Sequence, residues 1–456
     1  MTPERLGSSF RDPSGFVFRH NNNVYRKVGK SFASEYDSLR SAGLFQSLIE
    51  KKLLLAFEEV TIDGATANDF HRTLHPEQLE FVSYPYEWCF GQLKDAALVT
   101  LDAMSAALEQ GFVIKDATAF NIQFHKGLPI LIDTLSFETY VEGEPWIAYR
   151  QFCRHFLAPL ALMAYVDPRL ISMFRIHLDG IPLDLAAKLL PSKAKLNFGL
   201  AAHIFMHANA DGDQRKDAKS AAKVSKTALL ALIDNLRRVV TGLDWKPGGT
   251  EWNDYYSDTN YTQSAAASKR EVVKQLLQMA AGETCWDLGA NNGEFSRIAL
   301  DLGYQTIGWD IDHGAIEQAY RWSKQAKSTS FLPLVQDLAN PSSSIGWNLD
   351  ERDSITQRGP ADVIMALALI HHLAIGNNVP LGMIAEFFAK LGKHLIIEFV
   401  PKEDSQVQRI LVARKDIFDQ YTQTDFEREF SAYFDLVEKR PVTEMSRSLY
   451  LYRRRD

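Results

Sequence analysis

Past its midpoint the chain settles into a regular alternation of short apolar runs and amphipathic stretches. Thr284 to Leu288, Thr306 to Trp309, Val363 to Ala368 and His394 to Val400 read as buried strands, with Phe295 to Leu302 and Gly314 to Lys324 as helices between them. Near-continuous apolar runs separated by helices are what parallel strands covered on both faces require. The pattern therefore predicts an α/β, doubly wound sheet. Its end differs: Phe434-Asp435-Leu436-Val437 and Ser448-Leu449-Tyr450-Leu451-Tyr452 are two strands with no helix between them.

The first half mixes helix and strand less regularly. Leu93 to Gln110 and the apolar Trp146 to Met163 read as helices, and Ile122-Gln123-Phe124, His125-Lys126-Gly127 and Ile130-Leu131-Ile132 as a hairpin with its turn. A compositional break runs from about His207 to Gly249, opening on a polar Asn/Asp/Gly stretch and closing at Lys246-Pro247-Gly248-Gly249. Inside it, Ala228 to Ile233, Leu236, Val239, Val240 and Leu243 recur at helical spacing, so the connector is a helix. The expected domains are 1–206, a helical linker 207–250, and 251–456.

Composition narrows the class. With 456 residues, 46% of them hydrophobic, the chain has room for more than one core. A formal net charge of −7, with no basic tract longer than Arg453-Arg454-Arg455, argues against general nucleic-acid binding. Small-molecule, saccharide or peptide partners stay open. No segment offers about 18 uninterrupted apolar residues and Met1 to Phe10 lacks a signal-like apolar core, so no transmembrane segment and a cytoplasmic location are expected. Cys89, Cys153 and Cys285 are far apart, which fits buried thiols rather than a disulfide or zinc framework.

The chemistry of the second half concentrates at Asp287-Leu288-Gly289-Ala290-Asn291-Asn292-Gly293, where a buried strand turns into a helix, and at Asp310, which ends the next strand. Glycines let the backbone approach a ligand, and a carboxylate at the neighbouring strand end can accept both hydroxyls of a ribose. A nicotinamide fold would want further glycines where Asn291 and Glu294 stand. The segment instead resembles the class I S-adenosylmethionine-dependent methyltransferase family over about Asn253 to Arg454. In that resemblance Asn291 replaces a glycine, Asp310 meets the ribose, and Asp337 and Leu338 in Gln336-Asp337-Leu338 meet the adenine. The run Ala366 to Leu373 is the fourth strand and its exit, and the final strand pair closes a seven-stranded sheet.

The resemblance implies S-adenosylmethionine as cofactor, bound by Asp287, Gly289, Asn291, Gly293, Asp310, Asp337 and Leu338. Of His371 and His372, either of which could act as general base or position an acceptor, His371 is the catalytic candidate, and Glu398 is a candidate acceptor-binding carboxylate; for each the alternative is a purely structural role. Trp252, Tyr255, Tyr256 and Tyr261 form either a lid over the site or packing beside it.

In the first half Asp116, Asn121 and Asp133 flank the hairpin at separations that suit one Asp orienting a hydroxyl while an Asn and a second Asp hold Mg²⁺ against phosphates. Val82 to Trp88 would be a hinge. This stretch resembles the kinase-like phosphotransferase fold of aminoglycoside and choline kinases, an α+β domain, over roughly Phe10 to Met206. The resemblance implies Asp116 as catalytic residue, Asn121 and Asp133 as metal ligands, and ATP with Mg²⁺ as ligands. It departs from the family in having a single glycine in Gly15 to Asn23 and no His at Ile114. Arg26 or Lys27 would be the phosphate-pairing cation, with Glu35 its helix partner.

Three functions follow. The first is a methyltransferase with a kinase-like, possibly degenerate, substrate-binding or regulatory half. The second is a bifunctional kinase-methyltransferase, an arrangement that resembles polysaccharide chain-terminating enzymes. The third is a ligand-sensing scaffold without catalysis.

Overall fold

The computed structural model describes residues 4–62, 70–208, 223–247, 262–412 and 414–455. They divide into two units: residues 1–246 with 344–352, and residues 247–343 with 353–456.

The first unit begins with an antiparallel sheet of β1 (Glu4–Arg5), β2 (Gly15–His20), β3 (Asn23–Gly29), β4 (Phe57–Glu59) and β5 (Phe70–Pro76), in the order β1-β2-β3-β5-β4. Asn21 and Asn22, at φ +48° and +65°, make the tight β2–β3 turn. Asparagine tolerates this left-handed backbone, which suits the twist of a two-residue hairpin. The run Gly15 to Asn23 is thus a strand and turn, and the connection where a phosphate loop would lie is Leu6–Ser14.

The helix Phe90–Glu109 follows, buried along Leu93, Ala97, Leu101 and Met104. Then come β6 (Phe112–Ile114), β7 (Ile122–His125), β8 (Leu128–Leu131) and β9 (Phe137–Thr139). β6 pairs with β9 and β7 with β8, both antiparallel, so the β7–β8 hairpin sits between the two halves of an outer pair. The apolar stretch after it is helical from Tyr149 to Tyr165, widened to a π-bulge over Cys153–Leu157 just before Pro159, which has no N–H to donate.

The helix Lys226–Gly242 packs along Phe90–Glu109 through its buried Leu229, Ile233, Leu236 and Val240, and so belongs to the first unit rather than to a linker. Lys94 Nζ donates to the carbonyls of Thr241 and Leu243, capping its C-terminal end.

In the second unit β10 (Thr284–Leu288), β11 (Gln305–Asp310), β12 (Phe331–Val335), β13 (Ala361–Ala366), β14 (Gly392–Phe399), β15 (Phe434–Pro441) and β16 (Ser448–Arg454) form one sheet in the order β12-β11-β10-β13-β14-β16-β15. β10 to β14 are parallel; β16 runs antiparallel to both β14 and β15. The doubly wound sheet and its closing hairpin are what the hydrophobic pattern predicts, and the count of seven strands is what the family resemblance implies. β12 escapes that pattern because Pro333 interrupts its apolar run, which an edge strand tolerates. Val273, Leu276 and Leu277 of the helix Gln263–Ala280 meet Cys285, Val363, Met365, Ile396, Leu449 and Leu451 in a core on one face. On the hairpin, Tyr450 and Tyr452 stack with each other and pack against Phe426 of the helix Gln423–Phe430.

Cys89, Cys153 and Cys285 are buried and form no disulfide among the described residues. Among the described residues no helix is long and apolar enough to cross a membrane.

A Cβ at Gly199 would lie 2.0 Å from a methyl carbon of Val239 on the Lys226–Gly242 helix. Gly199→Ala is therefore expected to cost about 1–3 kcal/mol by overpacking, read as an earlier urea midpoint, and Val239→Ala in the same chain to restore most of it. An unchanged midpoint in the single variant would show that this helix does not dock there.

Candidate active site

β10 lies beside both β11 and β13, and the connections leave it in opposite directions. Ligands bind in the crevice that opens at the carboxyl ends of strands at such a reversal. Between β10 and the helix Glu294–Asp301 the chain passes through Gly289 and Asn291 at φ +80° and +51°. Asparagine is the residue besides glycine that best accepts this backbone, which explains Asn291 where the family has glycine. The amides of Gly289 and Ala290 donate to the Trp309 carbonyl, each at 2.8 Å, and the Asn291 amide donates to Asp310 Oδ2 at 2.8 Å. Asp310 Oδ1 accepts from the Asp312 amide at 2.8 Å, and Asp312 caps the helix His313–Ala326. One carboxylate thus ties together both strand ends.

Above them is a cavity of about 520 Å³. Asp287, Gly289, Asn291, Asp310, Asp337 and Leu338 all line it. Burial pushes the Asp287 carboxyl up to about 7, against the hydrogen bond from Ser296 Oγ at 2.6 Å. Burial likewise raises Asp310 to about 6, against the amides of Asp312 and Asn291. Two carboxyls with raised pKa lining one cavity fit a cationic ligand, which would favour the charged form of each. The Gln336 side chain, also on the wall, accepts from Ser342 through Oε1, while its Nε2 is buried with no partner among the described residues. An orphaned donor in the crevice fits a ligand with an acceptor such as a heterocyclic nitrogen. The residues present therefore fit an S-adenosyl group.

Three sequence candidates sit elsewhere than expected. Gly293 is off the wall; its missing Cβ leaves room for the Phe331 ring, 3.0 Å from where that atom would be. His371 is 0% exposed, its ring nitrogens lack partners among the described residues, and burial holds it neutral, with its pKa well below the usual histidine range. It is His372 that lines the cavity, because one step along a helical turn rotates a side chain by about 100°. Burial, then the Arg447 charge, lowers His372 to about 4. Glu398 is wholly buried and does not reach the cavity: Oε2 accepts from Lys269 Nζ at 2.7 Å, and Arg447, held bidentate by Asp404, lies 3.6 Å from Oε1. Glu398 is therefore not placed to bind an acceptor; it orients Lys269, which does line the cavity. Lys269 was hidden in the sequence because Ser268-Lys269-Arg270 looks like an ordinary solvated helix face. Trp252, Tyr255, Tyr256 and Tyr261 lie outside the described residues.

In the first unit, Asp116 Oδ1 accepts from Gln151 Nε2 at 2.6 Å, and burial, then the Asp133 charge, raises its pKa. Asn121 Nδ2 donates to Ser136 Oγ at 3.0 Å, and that hydroxyl donates to Asp133 Oδ2 at 2.6 Å. The three predicted residues are thus brought together. Asp133 Oδ1, however, accepts from the Leu135 amide at 2.9 Å and lies 2.7 Å from Arg26 Nη2, which also reaches Asp12. With both oxygens engaged by donors, this set does not fit Mg²⁺ as it stands. Glu35 is not a partner of Arg26 or Lys27: it accepts from the Thr139 amide and hydroxyl, while Lys27 Nζ donates to Thr73. Val82 to Trp88 is locked to the hairpin by Gln123, which exchanges hydrogen bonds with the Ser83 backbone at 2.9 Å each.

A seven-stranded sheet of this order with a crevice at the carboxyl ends of β10 and β11 defines a methyltransferase-like fold in the second unit. Across its whole length the chain is 35% identical to the nodulation protein NoeA of Rhizobium meliloti (strain 1021), covering 100% of this chain and 97% of that one, and it belongs to the NoeA family. No family model matches it. Similar solved structures include the N-methyltransferase NodS of Bradyrhizobium japonicum WM9 with S-adenosyl-L-homocysteine (13% identity, 45% of this chain, 93% of that one, TM-score 0.34). Others are the magnesium protoporphyrin IX methyltransferase ChlM of Synechocystis PCC 6803 (17%, 45%, 93%, 0.33) and the bifunctional kinase-methyltransferase WbdD (14%, 45%, 42%, 0.31). Likeness at such scores adds nothing to what the sheet order itself gives.

Removing the carboxylate that Lys269 and Arg447 share is expected to be costly. Glu398→Ala should lower stability by about 3–5 kcal/mol, as for other buried pairs broken on one side, measured by urea unfolding; a loss below about 1 kcal/mol would mean that the pair is solvated.

Proposed function

We propose that this protein transfers a methyl group from S-adenosylmethionine to a small-molecule, saccharide or peptide acceptor, with its first unit a kinase-like substrate-binding or regulatory module. The observation that carries the reading is the cavity at the carboxyl ends of β10 and β11, where the left-handed Gly289–Asn291 turn is clamped by Asp310. Bound there, S-adenosylmethionine would supply an electrophilic methyl group on a sulfonium. Asp310 is the ribose acceptor, Gln336 and Asp337 lie at the base end, and Lys269 and Asp287 lie where the amino-acid end would be held. His372 faces the space beyond, as a neutral imidazole that can take a proton from a hydroxyl or ammonium acceptor.

The pairing of β6 with β9 around the β7–β8 hairpin supports the kinase-like reading of the first unit, as does the gathering of Asp116, Asn121 and Asp133. A bifunctional enzyme is the second reading; the Arg26–Asp133 pair weighs against it.

Incubation with methyl-labelled S-adenosylmethionine and a cell extract is expected to label one discrete acceptor. His372→Ala should lower the rate by about 10²-fold or more without changing S-adenosylhomocysteine affinity. Labelling of nothing by the folded protein would leave only a sensing role.

The two raised carboxyls set a pH dependence. Each binds its proton more tightly in the empty folded protein than in the unfolded chain, so its contribution to stability is present in acid and lost as pH rises through 6 to 7. A ligand that needs the carboxylates acts in the opposite sense. The rise in melting temperature on adding S-adenosylmethionine should therefore be larger at pH 8 than at pH 5.5, and a shift independent of pH would contradict the assignment of both groups.

A further inference from the structure

We infer that the first unit carries its own fixed cation where a kinase-like site would take Mg²⁺, so that it holds Asp133 without a metal and works as a binding module. Arg26 is on β3, Asp12 on the Leu6–Ser14 connection, and Asp133 just after β8. The three elements converge on one guanidinium: Nη2 lies 2.9 Å from Asp12 Oδ2 and 2.7 Å from Asp133 Oδ1. The side chains of Arg26 and Asp133 are 12% and 11% exposed, and that of Asp12 is 26% exposed.

Each oxygen of these carboxylates has at least one donor. Asp12 Oδ1 accepts from the Ser14 amide, Asp133 Oδ1 from the Leu135 amide, and Asp133 Oδ2 from Ser136 Oγ. Ser136 Oγ also accepts from Asn121 Nδ2, so the second predicted metal ligand is itself drawn into the network. A divalent ion beside Asp133 Oδ1 would have to displace a partly buried guanidinium. Arginine cannot lose its charge to make room, because it stays protonated at any physiological pH.

The neighbouring cation does not change this. Lys115 is turned away to Ser14 Oγ at 3.3 Å and to the face of Phe32. Without Arg26, the Asp12 and Asp133 carboxylates would face one another, with Asp116 close enough for its pKa to feel Asp133. That arrangement of oxygen ligands is one that Mg²⁺ or Mn²⁺ takes readily.

The proposal rests on the kinase-like reading of the first unit, and one titration separates the two. Mn²⁺ is added to the full-length protein and the free ion is read from its paramagnetic resonance signal, for wild type, Asp133→Asn, Arg26→Met, Arg26→Lys and Arg26→Met/Asp133→Asn. Wild type and Arg26→Lys are expected to show no Asp133-dependent uptake, whereas Arg26→Met takes up one equivalent at least about tenfold more tightly, and the double variant loses it. Uptake by wild type that Asp133→Asn abolishes would overturn the proposal while leaving the kinase-like reading intact. No uptake by a folded Arg26→Met would overturn both, since the position would then not be a metal position at all. If Arg26→Met does not fold, the wild-type and Asp133→Asn titrations still decide.

Discussion

The second unit depends on what the Asp310 carboxylate holds. It receives the amide of Asn291 from the turn after β10 and the amide of Asp312 from the start of the next helix. A backbone that visits the left-handed region at Gly289 and Asn291 is strained for most residues and needs neighbours that over-determine it. The Trp309 carbonyl, bonded by two consecutive amides, and Asp310 supply that constraint from one strand end. The same constraint shapes the crevice. A carboxylate buried to hold a turn is also a carboxylate poised for a ligand's hydroxyls or positive charge.

The two units treat buried carboxylates in opposite ways. In the second, Asp287 and Asp310 line a cavity with hydrogen bonds but no ion pair among the described residues, and burial raises the pKa of both. Such unpaid desolvation is typical of sites that wait for a ligand. In the first, Asp133 and Asp12 are neutralised by Arg26 and the hydroxyl and amide groups around them. The same contrast appears between Glu398, paired internally by Lys269, and the cavity wall that Lys269 reaches. Within the second unit, then, paired and unpaired buried carboxylates stand side by side, and only the unpaired ones line the cavity.

Much of the fold was legible in the sequence. The apolar runs of β10, β11, β13 and β14 are buried on both faces, so their hydrophobicity is nearly unbroken, and the lack of a helix between β15 and β16 is visible as a missing amphipathic stretch. β12 was hidden by Pro333. Membership of the first unit was hidden for Lys226–Gly242 and for 344–352, because it is decided by long-range packing such as Val239 against Gly199, or Arg11 against Glu351. In the site, the acid and glycine spacing pointed to the turn and strand end that line the cavity, since backbone conformation leaves a mark on composition. The choice between His371 and His372 left none: it is a matter of which way one helical turn faces. Lys269 was equally hidden, for its burial is created by Glu398, 129 residues away.

The central claim is that the crevice over β10 is a nucleoside-cofactor site organised by Asp310. Calorimetric titration of S-adenosylmethionine into the full-length protein tests it most directly, with Asp310→Asn and Asp310→Ala beside wild type. The account predicts one site per chain in wild type, with affinity reduced by about 10²-fold or more in Asp310→Ala, given the 1–3 kcal/mol or more at stake for each charge-assisted hydrogen bond to the ribose. Equal affinity in the folded variants, or no binding by wild type at neutral pH, would contradict it.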